Sequence, residues 1–135
     1  MRKIVVTALS LLAMSGCSAA PDTYDFAVAD AQERLVNGTY PKGSIQNFSS
    51  HNITPSSLGE GRIEWQIRMD DGNVGFRCES QLTPANDEDT QVRIVSQCGQ
   101  DTGDEQDMII EAARRSLERL IESNLTGKPY VKGDV

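Results

Sequence analysis

Few side chains in this chain of 135 residues could do chemistry, and their types narrow what that chemistry is. There are three cysteines, Cys17, Cys78 and Cys98, and one histidine, His51. An odd cysteine count in an exported protein sets one of them apart for separate work. A lone histidine on a polar stretch provides neither a metal-ligand set nor a nucleophile–base pair. Asn86, Asp87, Glu88 and Asp89 carry oxygens that could take Ca²⁺, but the spacing of an EF-hand loop and its glycine are missing, so no metal is expected. Glu64 and Glu79 remain as a carboxylate pair. Strand patterning sets them opposite each other on an exposed face, a poor place for tuning an acid against a base. The expectation is a protein that is not an enzyme and needs no cofactor.

The elements that must position these residues centre on Arg62 to Leu82. Ile63, Trp65, Ile67 and Met69 alternate with Arg62, Glu64, Gln66, Arg68 and Asp70. After Asp71-Gly72, Val74, Phe76, Cys78, Ser80 and Leu82 resume the same period. Period-2 patterning means a strand with one buried face, and Asp-Gly between two such runs signals a two-residue hairpin turn. That turn pairs Met69 with Val74, Ile67 with Phe76, Trp65 with Cys78 and Ile63 with Ser80. Val92, Ile94, Ser96 and Cys98 form a further strand, antiparallel to the second. Cys78 and Cys98 then share the buried face and are expected to form a structural disulfide. They lack the Cys-x-x-Cys arrangement of a redox-active pair.

The N-terminus assigns the third cysteine. Arg2 and Lys3 precede a short apolar run, Ile4 to Met14, that ends at Ser15-Gly16-Cys17. Such a stretch is a secretory signal and is too short for a transmembrane helix. Leu12-Ala13-Met14-Ser15-Gly16-Cys17 resembles the lipobox of bacterial lipoproteins, with Met14 where leucine is usual. The resemblance implies cleavage before Cys17, a diacylglyceryl thioether on its sulfur and an acyl chain on the new amine. Ser18 rather than aspartate after the cysteine implies the outer membrane. The alternative is an ordinary signal cut near Ala19-Ala20, which would discard Cys17.

An amphipathic helix is expected on each side of the strands. Asp22 or Thr23 can cap the first. Tyr24, Ala27, Val28, Ala31 and Leu35 form its buried stripe. Asp25, Asp30, Gln32, Glu33 and Arg34 face water, and Asn37-Gly38 stops it. Ser44 to Ile53 reads as a weak edge strand and Thr54 to Gly61 as loop. Ile109, Ile110, Ala113, Leu117, Leu120, Ile121 and Asn124 trace the last helix, capped at Asp101, Thr102 or Asp104 and stopped at Gly127. The fold class is therefore α+β: a four-stranded antiparallel meander with both helices on one face. The domains are a signal over 1–16, a lipidated tether over 17–21, one folded domain over 22–127 and a tail over 128–135.

The net charge of −7 becomes −9 once Arg2 and Lys3 are lost. That excludes nucleic acid as a natural partner, because phosphate binding relies on Lys and Arg. Against this background, the solvent side of the three strong strands carries Arg62, Arg68, Arg77 and Arg93 with only Glu64 and Glu79, a local +2. It is either a solvated face or a docking face for an anionic protein or envelope polymer. The function expected is a lipid-anchored, non-catalytic binding or structural module at the periplasmic face of the outer membrane. The alternative is an inhibitor or accessory subunit of an envelope enzyme.

Overall fold

The computed structural model describes residues 20–41, 43–44, 52–68, 74–100 and 107–130. The signal and Cys17, His51, most of the weak strand, the Asp71-Gly72 turn, the caps proposed at Asp101 to Asp104 and the end of the tail lie outside them.

The described residues form a five-stranded antiparallel sheet and two helices. The elements are β1 (Thr23–Tyr24), α1 (Val28–Val36), β2 (Asn52–Gly59), β3 (Arg62–Arg68), β4 (Val74–Pro84), β5 (Val92–Gln100) and α2 (Asp107–Thr126). The spatial order is β1-β5-β4-β3-β2. The buried side chains of β3, β4 and β5 join those of α1 and α2 in a single core, so both helices cover the same side of the sheet. The expected register holds where it matters for packing: Ile67 faces Phe76, Trp65 faces Cys78 and Ile63 faces Ser80. Trp65 is fully buried and meets Tyr40 edge-on, centroids 5.3 Å apart.

The first correction concerns the N-terminal helix. A stripe from Tyr24 to Leu35 predicts one element, but Thr23 and Tyr24 are a strand opposite Arg93 and Val92. This fifth strand is what the four-stranded expectation lacked. The stripe misleads because Tyr24 is buried from a strand and Val28, Ala31 and Leu35 from a helix. Ala27 is extended at the N-cap and brings no capping side chain. Asp89, in the β4–β5 loop, does the capping instead: its Oδ1 accepts the Val28 N–H at 3.0 Å. Neither Asp22 nor Thr23 caps the helix.

Gln32 is the second correction. Expected in water, it is buried. Its Nε2 donates to Ser57 Oγ and Gly59 O, both at 2.7 Å, and to Arg62 O at 3.2 Å. Its Oε1 accepts the Gly61 N–H at 2.7 Å. A buried amide must find such partners, and here they tie α1 to the β2–β3 turn.

The third is β2 itself, which occupies Asn52–Gly59 where a loop from Thr54 to Gly61 is expected. Ser44 is outside it. Its sequence, Asn-Ile-Thr-Pro-Ser-Ser-Leu-Gly, is polar because an edge strand buries little, and Pro55 is tolerated at a sheet edge. The fourth is a bulge: Arg68 pairs with Val74 rather than leaving it to Met69, so Gly75 is the extra residue on β4. At the C-terminus, Gly127 stops α2 with positive φ and an N–H bonded to Ser123 O. Tyr130, expected in the tail, packs against the core and donates to Ser44 O.

Candidate functional site

The sheet side opposite the helices is where the structure gathers the predicted arginines. Inward residues alternate along β3, β4 and β5, so Arg62, Glu64, Gln66 and Arg68 share the outer face with Arg77, Glu79 and Gln81 and with Arg93, Val95 and Gln97. Glu64 and Glu79 stand directly opposite one another, as expected. Like charges in that position repel, and each carboxylate is met by an arginine from the neighbouring strand. Arg62 Nε donates to Glu79 Oε2 at 2.8 Å. Arg77 Nη1 donates to Glu64 Oε2 at 3.4 Å. The Arg62 guanidinium is held above its ordinary pKa, chiefly by the hydrogen bond it donates to Glu79 and then by the Glu79 charge.

A polar chain extends this arrangement. Arg68 Nη2 donates to Gln66 Oε1 at 2.9 Å, and Gln66 Nε2 donates to Glu64 Oε1 at 3.3 Å. At the far side Arg93 Nε lies 3.6 Å from Asp22 Oδ2. The sequence reading missed Asp22 because it placed that residue at a helix start rather than beside a strand. With Asp22 counted, four arginines stand against three acids. Exposed pairs of this kind contribute about 0.2–1 kcal/mol each, so they order the face more than they stabilise the fold.

Cys78 and Cys98 face each other across β4 and β5, Cα atoms 4.0 Å apart, joined as a disulfide. Cys78 is buried and Cys98 half-buried. The pair therefore pins the strands from the core side and presents no sulfur to the arginine face.

Two further features depend on contacts that no local pattern carries. An open cleft of about 400 Å³ lies between α1 and the β2–β3 turn, lined by Ala29, Glu33, Val36, Ser57, Gly59 and Glu60 over the Gln32 amide. On the other side of the domain, Tyr24 sits where β1 meets α2. Burial pushes its phenol well above the ordinary range, and the charges of Glu122 and Glu118 add to the shift. Glu122 itself is buried and paired with Arg119 at 3.2 Å and Lys128 at 3.7 Å.

Among the described residues no three His, Cys, Asp or Glu side chains are grouped to hold a metal, and no helix is long and apolar enough to cross a membrane. In comparison with known proteins, no family model, curated protein or solved structure matches this chain.

Proposed function

We propose that this chain is a lipid-anchored bacterial envelope protein, a non-catalytic binding or structural module held at the periplasmic face of the outer membrane through Cys17. The observation that carries the reading is the run Leu12-Ala13-Met14-Ser15-Gly16-Cys17-Ser18 behind a basic start and an apolar stretch. The Cys78–Cys98 disulfide supports an oxidising compartment, where such bonds persist. Several acyl chains on one residue give a firm anchor, since each buried methylene contributes about 0.8 kcal/mol and one chain alone holds only marginally. In the Cys17→Ala variant, precursor of full length is expected to accumulate and labelled fatty acid to be absent from the protein. Normal cleavage with continued labelling would overturn the anchor.

The surface proposed for a partner is the arginine face, and the partner class is an anionic protein or a phosphorylated or carboxylated envelope polymer. Arginine suits such ligands because its planar fork takes carboxylate or phosphate through two bonds. The bulge at Gly75, beside Arg68, lets a ligand approach the backbone. Replacing Arg68, Arg77 and Arg93 together with glutamine is expected to leave the domain folded and to abolish salt-sensitive capture of the partner after in-cell crosslinking. Capture of the same partners with an unchanged salt dependence would assign this face to solvent alone.

A further inference from the structure

A chain of buried hydroxyls runs from the centre of the core to the seam between β1, β5 and α2. Trp65 Nε1 donates to Ser80 Oγ at 2.9 Å, and Ser80 Oγ lies 2.7 Å from Ser96 Oγ. Trp65 and Ser80 are fully buried and Ser96 is 4% exposed. The indole N–H can only donate, so Ser80 accepts from it, while either serine can be the donor between Ser80 and Ser96. With Ser80 as the donor, the Ser96 O–H is left without an acceptor among the described residues. A second group of the same residue is in the same position. The Ile94 N–H meets Asp22 O across the sheet edge at 2.8 Å. The Ser96 N–H, two residues on, points to the same side, where Pro21 and Ala20 have left the ladder. Two donors of one buried residue thus face the seam.

The seam contains a cavity of about 30 Å³, lined by Ser96, Asp22, Tyr24, Glu118, Ala20 and Pro21 among others. That volume is room for one water. We infer that this cavity is a binding site for a single water molecule, which accepts from the Ser96 N–H and O–H and donates to the Glu118 carboxylate. The water ends the Trp65–Ser80–Ser96 chain and joins it to α2. It also stands where the next rung of the β1–β5 ladder, Ala20 opposite Ser96, would fall.

The chain's single tryptophan makes the network readable by NMR on the whole protein. Water-selective cross-relaxation is expected to give a cross-peak of slow-exchange sign at the Ser96 amide and the Tyr24 ring. The peak should persist in Ser80→Ala, which keeps both Ser96 donors. It should vanish in Ser96→Val, which removes the hydroxyl and fills its space. The Trp65 indole N–H resonance should remain sharp and dispersed in each variant, showing that the fold is kept. Absence of the peak in the unmodified protein would overturn the site, and so would its survival in Ser96→Val. The measurement on the unmodified protein stands even if a variant fails to fold.

Discussion

Cys78→Ala is expected to lower the unfolding free energy by about 2–5 kcal/mol, the usual cost of removing a native disulfide from a small domain. The bond closes a loop with a sequence separation of 20 residues. Chain-entropy reasoning assigns a loop of that size about 3 kcal/mol. Packing adds to this, because Cys78 is buried between its β3 neighbour Trp65 and its β5 neighbour Cys98. The loss should appear in urea titration as a lower midpoint. Cys78→Ala with Cys98→Ala should lose nearly the same amount, which separates the missing bond from the effect of a free thiol. A loss below about 1 kcal/mol would mean that the ladder alone fixes these strands.

Gly61→Ala is expected to cost about 2–4 kcal/mol, far more than an exposed loop substitution, which normally stays within about 0.5 kcal/mol. Gly61 has φ +79, and a Cβ there would stand 2.8 Å from the Leu82 carbonyl oxygen. Holding a residue with a side chain in such a conformation costs about 1–3 kcal/mol. The clash cannot be relieved cheaply, because both backbone groups of Gly61 are in use. Its N–H donates to Gln32 Oε1 at 2.7 Å, and its carbonyl accepts the Leu82 N–H at 2.8 Å. Moving Gly61 away from Leu82 therefore pulls on both α1 and β4. Gly59 is an internal control. It also has positive φ, but a Cβ there meets nothing within 4 Å, so Gly59→Ala should cost clearly less. Equal losses at the two positions would show that the Leu82 contact is not the cause.

What could be read from the sequence divides along a physical line. β3, β4 and β5 were legible because each buries one face, which forces a period of 2 on its composition. The register across Cys78 followed from the same requirement, and with it the disulfide and the opposed pair Glu64 and Glu79. α2 was legible because its stripe is long and its stop, Gly127, has the positive φ that the position needs. β2 was not, since an edge strand whose outer residues face water has no such constraint. β1 was hidden because two residues are too few to show any period. The Asp89 cap and the Gln32 latch lie 61 and 29 residues in sequence from the groups they bond. Their residue types, Asp and Gln, are ordinary on loops and helix surfaces. The arginine face was legible as a set of residues, but its pairing with Asp22 depended on the strand that the pattern concealed.

The trans-acting cap has a consequence for the order in which this chain can fold. α1 is near the N-terminal end, yet its first N–H waits for Asp89 and its Arg34 side chain reaches Asn124 O, 90 residues later. β1 must likewise wait for β5. Closing contacts across such separations carries the loop entropy first and gains the contact energy afterwards, which slows folding. A chain threaded N-terminus first through a membrane would emerge with these early segments unable to dock. The β3–β4 hairpin can form as soon as it clears the pore, and the Cys78–Cys98 bond once β5 follows. In a chain exported this way, the segments made first would be the last to find their places.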